Sequence, residues 1–109
     1  MAYNLLCSRL AVTNGTDNFS SAVACQGNAV QIDSICYNLG GATTYTIELQ
    51  GSNDGSNFTV ITTNAGLGLG YNAPTKSTGV GFALVRVRYS VSAGAGTIII
   101  SCGLNFSMQ

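Results

Sequence analysis

The stretch Ala83-Leu-Val-Arg-Val-Arg-Tyr-Ser-Val-Ser92 alternates apolar and polar side chains along its length. Successive side chains of an extended chain point to opposite faces, so the valines and Tyr89 share one face while Arg86 and Arg88 share the other. A period of two is typical of a half-buried β-strand. The pattern therefore predicts a strand whose valine face lies against a core.

The same alternation recurs along the chain. Thr97–Phe106 carries an unbroken apolar row on one face, and Thr43–Gln50 sets an apolar row opposite a polar one. Ala29–Leu39 has apolar residues on both faces, which favours a strand covered on both sides. Three further strand segments are predicted, namely Leu5–Thr13, Phe19–Gln26 and Phe58–Thr63.

Turn residues separate these segments, because glycine supplies the positive φ that tight hairpins require. The turn pairs are Asn14-Gly15, Gly27-Asn28, Gly40-Gly41 and Asp54-Gly55. The glycine-rich stretch Asn64–Gly79, which holds the only proline, is predicted to be a loop. At 109 residues the chain has the length of one domain. We predict an all-β fold over residues 1–109, a single antiparallel β-sandwich or jelly roll of about seven to eight strands.

Composition excludes several classes of function. Only 7% of the residues are charged, the formal net charge is zero and histidine is absent. Nucleic-acid binding needs clustered Lys and Arg, and a membrane-spanning helix needs about 20 apolar residues in succession. Ser-His-Asp or Cys-His catalysis and His-ligated metal sites need histidine. We predict a non-enzymatic protein with no catalytic, cofactor or metal residues and no nucleic-acid or membrane partner. The alternative is a calcium site near Asp17 and Asp54.

Four cysteines, Cys7, Cys25, Cys36 and Cys102, include no Cys-x-x-Cys pair. They allow three disulfide connectivities, and the sequence does not choose among them. For a chain made in the cytoplasm we expect reduced, buried thiols that pack as small apolar groups. Disulfides formed in an oxidising medium are the alternative.

Near-zero net charge favours association between molecules, so some exposed side chains are expected to lie in an interface. Arg86 and Arg88 would gain from pairing with a carboxylate of a neighbouring subunit, such as Glu48 or Asp33. The alternative is that these side chains simply cover a sheet face in water. At an edge, the strand Leu5–Thr13 is expected to extend a neighbour's sheet.

A second group of predicted interface residues lies in the glycine-rich stretch. Leu67, Leu69 and Tyr71 place large apolar side chains on a backbone with little else to bury them. The prediction is a contact loop for a partner protein, and the alternative is a mobile surface loop.

Two segments carry a resemblance to known families. They are Tyr45-Thr-Ile-Glu-Leu-Gln-Gly-Ser-Asn-Asp-Gly-Ser-Asn-Phe-Thr-Val-Ile61 and Phe82-Ala-Leu-Val-Arg-Val-Arg-Tyr89. The pattern resembles the small β-sandwich proteins of tailed bacteriophage particles, and it is also similar to a hairpin of discoidin-like jelly rolls. It covers less than half of the chain and mostly encodes a hairpin with an Asp-Gly turn.

The small size, the near-neutral composition and the absence of a secretory signal at Met1–Arg9 are more similar to a phage capsid decoration, or cement, protein. That resemblance implies a structural protein of the virion, made in the host cytoplasm. It also implies a homo-oligomer, with a trimer favoured, that binds a major capsid protein or another lattice protein. The alternative is a discoidin- or carbohydrate-binding-like extracellular module that uses exposed aromatics such as Tyr3 or Tyr71. In that alternative Cys7 and Cys102 would mimic the disulfide that joins the ends of discoidin domains.

Overall fold

The computed structural model of the protein describes residues 2–13, 18–40, 42–73, 76–94 and 96–108. Within them the chain is all-β, as predicted. Its strands are β1 (Ala2–Thr13), β2 (Asn18–Phe19), β3 (Val23–Ala24), β4 (Ala29–Asn38), β5 (Ala42–Ser52), β6 (Thr59–Leu67), β7 (Gly70–Asn72), β8 (Leu84–Gly94) and β9 (Thr97–Ser107). None of the described residues forms a helix of the length and apolarity needed to cross a membrane.

The strands form two antiparallel sheets. The four-stranded sheet has the order β1-β9-β4-β7, and the five-stranded sheet has the order β2-β8-β5-β6 with β3 also paired to β8. The longest ladders join strands that are far apart in sequence, since β9 at the C-terminus lies between β1 and β4. The N- and C-terminal parts of the chain are therefore held in one sheet.

The core is built from the apolar rows that the alternation predicts. Tyr45 and Tyr89 of the five-stranded sheet and Phe106 of the four-stranded sheet are its largest fully buried side chains. The other members of the predicted rows on β5, β8 and β9 are also buried, namely Ile47, Leu49, Val85, Val87, Val91, Ile98, Ile100, Cys102 and Leu104. These side chains form one contact cluster to which both sheets contribute.

A buried polar cluster links the two sheets through this core. The hydroxyl of Tyr45 on β5 lies 2.8 Å from the Ser34 hydroxyl on β4 and accepts a hydrogen bond of 2.9 Å from Asn72 on β7. The Asn72 amide also donates to the carbonyls of Gly68 and Gly70. Tyr45 of the five-stranded sheet therefore positions β7, the short edge strand of the four-stranded sheet.

The described residues form nine strands, where about seven to eight were predicted, and the structure differs from the sequence-based prediction in three further places. The predicted loop Asn64–Gly79 contains the end of β6 and the whole of β7, because Asn72 satisfies the carbonyls of the tight turn that joins them. The predicted strand Phe19–Gln26 is two short strands of two residues each. The second face of β4 is not covered, since Ile35 and Tyr37 are 38% and 40% exposed.

The predicted positive-φ turn glycines are confirmed at Gly40 and Gly55 but not at Gly27. Gly40 and Gly55 adopt positive φ values of 58° and 81°. Gly15 and Gly41 lie outside the described residues. Gly27 has a different role, because a Cβ there would collide with the Ser107 carbonyl oxygen.

Candidate docking surfaces

The outer face of the four-stranded sheet carries a concentration of exposed apolar side chains. We call it the tyrosine face; its members are Tyr3, Leu5, Asp33, Ile35, Tyr37 and Tyr71, with Arg9 at its border. Strand register places them together, because Leu5 and Asp33 flank Gly103 while Ile35 pairs with both Ser101 and Tyr71. Five of these side chains are 38–65% exposed, and they make up most of the large exposed hydrophobics among the described residues. A shallow cavity of about 190 Å³ lies among them.

Asp33 organises the tyrosines of this face. Its Oδ1 accepts a hydrogen bond of 3.1 Å from the Tyr3 hydroxyl, and its Oδ2 accepts one of 3.2 Å from the Tyr71 hydroxyl. Burial and then the carboxylate raise the pKa of Tyr3 to about 12, and the Asp33 charge raises the pKa of Tyr71. Both phenols are therefore neutral donors at physiological pH. The Tyr3 ring lies directly over Gly103, where a Cβ would collide with it.

Arg9 is held on the same face by an unusual backbone conformation. Its φ of 53° lies in the left-handed region, and it is the non-glycine residue with positive φ among the described residues. The register of β1 shifts on both sides of Cys7, so the strand is bulged here. The Arg9 amide donates to the Ser101 hydroxyl at 3.0 Å, and its guanidinium lies 4.3 Å from the centre of the Tyr37 ring.

The outer face of the five-stranded sheet is different, because its charged side chains pair within the chain. Here the structure brings together Arg86, Arg88 and Glu48, three of the predicted interface residues. Arg88 Nε lies 3.7 Å from a Glu48 carboxylate oxygen, and the same oxygen accepts a 2.7 Å hydrogen bond from Gln50. Arg86 in turn donates to Gln50 at 2.7 Å. Pairing across a subunit interface remains a prediction.

Arg86 is also held between two aromatic rings that the sequence analysis did not connect with it. Its guanidinium lies 3.8 Å from the centre of the Phe58 ring and 4.3 Å from that of Phe19. Such cation–π contacts contribute about 0.5–2 kcal/mol each. Arg86 therefore joins β2 and the chain before β6 to the sheet.

The remaining predicted interface residues lie around the turn between β6 and β7. Leu69 is 66% exposed and Tyr71 belongs to the tyrosine face, while Leu67 is half-buried. Leu67 lines an open groove of about 730 Å³ together with polar residues that include Asn64, Asn72 and Lys76. The structure thus separates these three residues between two neighbouring surfaces.

The Ser52–Asn57 turn lies in the segment that carries the family resemblance. Its Asp54 carboxylate accepts hydrogen bonds from other groups of the same turn. Asp54 Oδ1 accepts from the backbone amides of Ser56 and Asn57 at 2.8 Å each, and Oδ2 accepts from the Asn57 side chain at 2.7 Å. These bonds, led by the Asn57 amide, lower the pKa of Asp54 well below its usual value. The calcium alternative also required Asp17, which lies outside the described residues.

The Asp54 turn predicts a measurable acid sensitivity. A carboxylate whose pKa is lowered by folding stabilises the native state above its unfolded pKa and loses that effect as the pH falls. We expect the thermal midpoint to drop between about pH 5 and about pH 2, and to drop less in Asp54→Asn, whose amide oxygen still accepts hydrogen bonds. Melting curves followed by circular dichroism measure this. Equal acid sensitivity of the two proteins would contradict the role given to the turn.

All four cysteines are free thiols, of which Cys36 and Cys102 are buried and Cys7 and Cys25 are half-buried. Cys7 and Cys102 are register partners on β1 and β9, and both lie against the buried Tyr89 hydroxyl. Burial raises the pKa of both thiols. They are therefore protonated and poorly nucleophilic at neutral pH.

Comparison with known proteins identifies no relative. No protein-family model, no curated protein sequence and no solved structure matches the chain.

Proposed function

We propose that the protein is a non-enzymatic structural protein of a virus-like or phage particle, of the capsid decoration type. In this proposal its two sheets form a β-sandwich, it self-associates, and it binds and stabilises a larger protein lattice such as that of a major capsid protein. The tyrosine face is the observation that carries the proposal. It gives the chain a surface suited to contact with protein, on a molecule with very little charge to oppose association.

The amino-acid composition of the tyrosine face resembles that of the centre of protein–protein interfaces. Tyrosine and arginine are enriched at interface hot spots, whereas lysine and glutamate are depleted. The three tyrosines, 40–65% exposed, offer about 300 Å² of aromatic surface. Leu5 and Ile35, 60% and 38% exposed, add apolar area to this surface, whereas a stable interface buries roughly 800 Å² per partner.

Strand addition at the edge formed by β1 is a weaker route to association. The two register shifts and the left-handed Arg9 interrupt the row of outward backbone groups that a second strand would need. The face of the sheet is therefore the better candidate for contact between copies. The lattice contact is assigned to the β6–β7 turn, where Leu69 protrudes beside the open groove.

A second candidate function is saccharide binding, as in the extracellular module considered above. The specific observation in its favour is the pair Tyr3 and Tyr71 on either side of the Asp33 carboxylate. Aromatic rings can pack against the C–H faces of a sugar while a carboxylate accepts hydrogen bonds from its hydroxyls. The shallow, open cavity favours the structural role, because small-molecule sites usually enclose most of the ligand.

Hydroxyl-radical footprinting distinguishes the two functions. If copies associate through the tyrosine face, Tyr3, Tyr37 and Tyr71 become protected as the protein concentration rises. Val60, which is exposed on β6, stays reactive and serves as the internal control. Protection at low protein concentration on adding a panel of neutral oligosaccharides would instead support saccharide binding. Unchanged reactivity under both conditions would contradict both functions for this face.

A further inference from the structure

We infer that the partner of the tyrosine face is the tyrosine face of a second copy, related by a twofold axis that places Arg9 of each copy against Asp33 of the partner subunit. This inference rests on the self-association in the proposed function. It goes further, since it fixes the partner, the symmetry and the two residues that set the register of the contact.

The positions of the two charges on the sheet allow this arrangement. Asp33 on β4 pairs with Gly103 of β9. Arg9 on β1 lies on the other side of β9 and is hydrogen-bonded to Ser101, which is two residues from Gly103. With strands about 4.8 Å apart and a rise of about 3.3 Å per residue, the two positions are about 12 Å apart across the face. A twofold axis lying in the interface midway between them brings both Arg–Asp pairs together at once.

Each charge is already oriented on the face by uncharged neighbours. Two tyrosine hydroxyls fix the Asp33 carboxylate, and the Tyr37 ring lies under the Arg9 guanidinium. The charges are thus arranged before contact, which lowers the entropic cost of pairing them. Arg9 also has a left-handed backbone conformation, which is unfavourable for a residue with a Cβ. This conformational cost points to a role of Arg9 beyond folding.

A second copy suits this face better than an unrelated protein. The face carries one cation and one anion at separate places, so it is complementary to itself after a twofold rotation. An unpaired charge covered by an apolar surface is costly, and the twofold contact leaves neither Arg9 nor Asp33 unpaired. On the other sheet Glu48 lies against Gln50 and Arg88 of the same chain, so that face gains less from a second copy.

Charge exchange tests the inference by sedimentation velocity over a hundredfold concentration range. Arg9→Glu and Asp33→Arg should each weaken the dimer by about 30-fold or more, because each sets like charges against each other. The double variant should restore the dimer to within about threefold of the native affinity. Lys76→Glu changes the net charge as Arg9→Glu does but lies off the face, so it should leave dimerisation unchanged.

Arg9→Gly is a second variant, chosen because glycine is compatible with the native backbone at this position. Glycine adopts a φ of 53° without strain, so the thermal midpoint of the monomer should rise by a few degrees while the dimer weakens. A double charge variant as weak as the single ones, or a dimer indifferent to Arg9→Gly, would overturn the inference. A stable trimer would overturn the twofold contact yet support self-association, whereas a monomer at all concentrations would count against both.

Discussion

A Tyr45→Ala variant is expected to lose about 3–5 kcal/mol of unfolding free energy, the amount typical of deleting a fully buried aromatic side chain. Tyr45 is completely buried on β5, and its hydroxyl is the hydrogen-bonding link between the two sheets. Urea unfolding followed by circular dichroism measures the loss. A loss below about 1 kcal/mol would show that the core does not depend on this residue.

Tyr45→Phe separates the contribution of the Tyr45 hydroxyl to stability from that of its ring. It leaves the buried Ser34 hydroxyl without its partner and removes one acceptor of Asn72, so we expect a cost of about 1–3 kcal/mol. Tyr89→Phe is the matched control. The buried Tyr89 hydroxyl faces thiols and makes no hydrogen bond of ordinary geometry within the described residues, so its removal should cost less. Equal costs for the two variants would contradict the importance of the link between the sheets.

A Gly27→Ala variant is expected to lose about 2–3 kcal/mol, the upper part of the range for overpacking. The added methyl group would collide with the carbonyl oxygen of Ser107 and lie 2.8 Å from its carbonyl carbon. These are backbone atoms at the end of β9, and they cannot move without disturbing the ladder between β4 and β9.

Gly68→Ala is the control for this prediction. No atom lies within 4 Å of the added Cβ, and the φ at Gly68 is not in the left-handed region. Its stability should be unchanged, or greater by up to about 1 kcal/mol because alanine has a less flexible unfolded state. Both variants are compared by urea unfolding, and similar losses at the two positions would rule out the steric explanation.

The alternation of side chains was sufficient to predict the fold class and most of the core. The rows on β5, β8 and β9 are buried as predicted, because local periodicity and tertiary burial agree there. The glycine-rich stretch was wrongly predicted to be only a loop. Its strand pairing depends on Asn72 and on contact with β4, which is distant in sequence.

Most of the candidate site could not be predicted from the sequence. The tyrosine face exists because β9 brings β1 next to β4, and strand order is not encoded in local patterns. Asp33, Ile35 and Tyr37 do alternate with the buried side of β4 and could have been identified as an outward face. The apolar residues on both faces of β4 instead favoured the prediction that both faces are buried. Nothing local predicts the left-handed conformation of Arg9.

The most direct test of the account is the native mass of the purified protein, measured by light scattering on a sizing column over a hundredfold concentration range. We expect a closed species of twice the 11.2 kDa chain mass, which dissociates only on dilution. A mass equal to that of one chain at every concentration would contradict self-association through the tyrosine face.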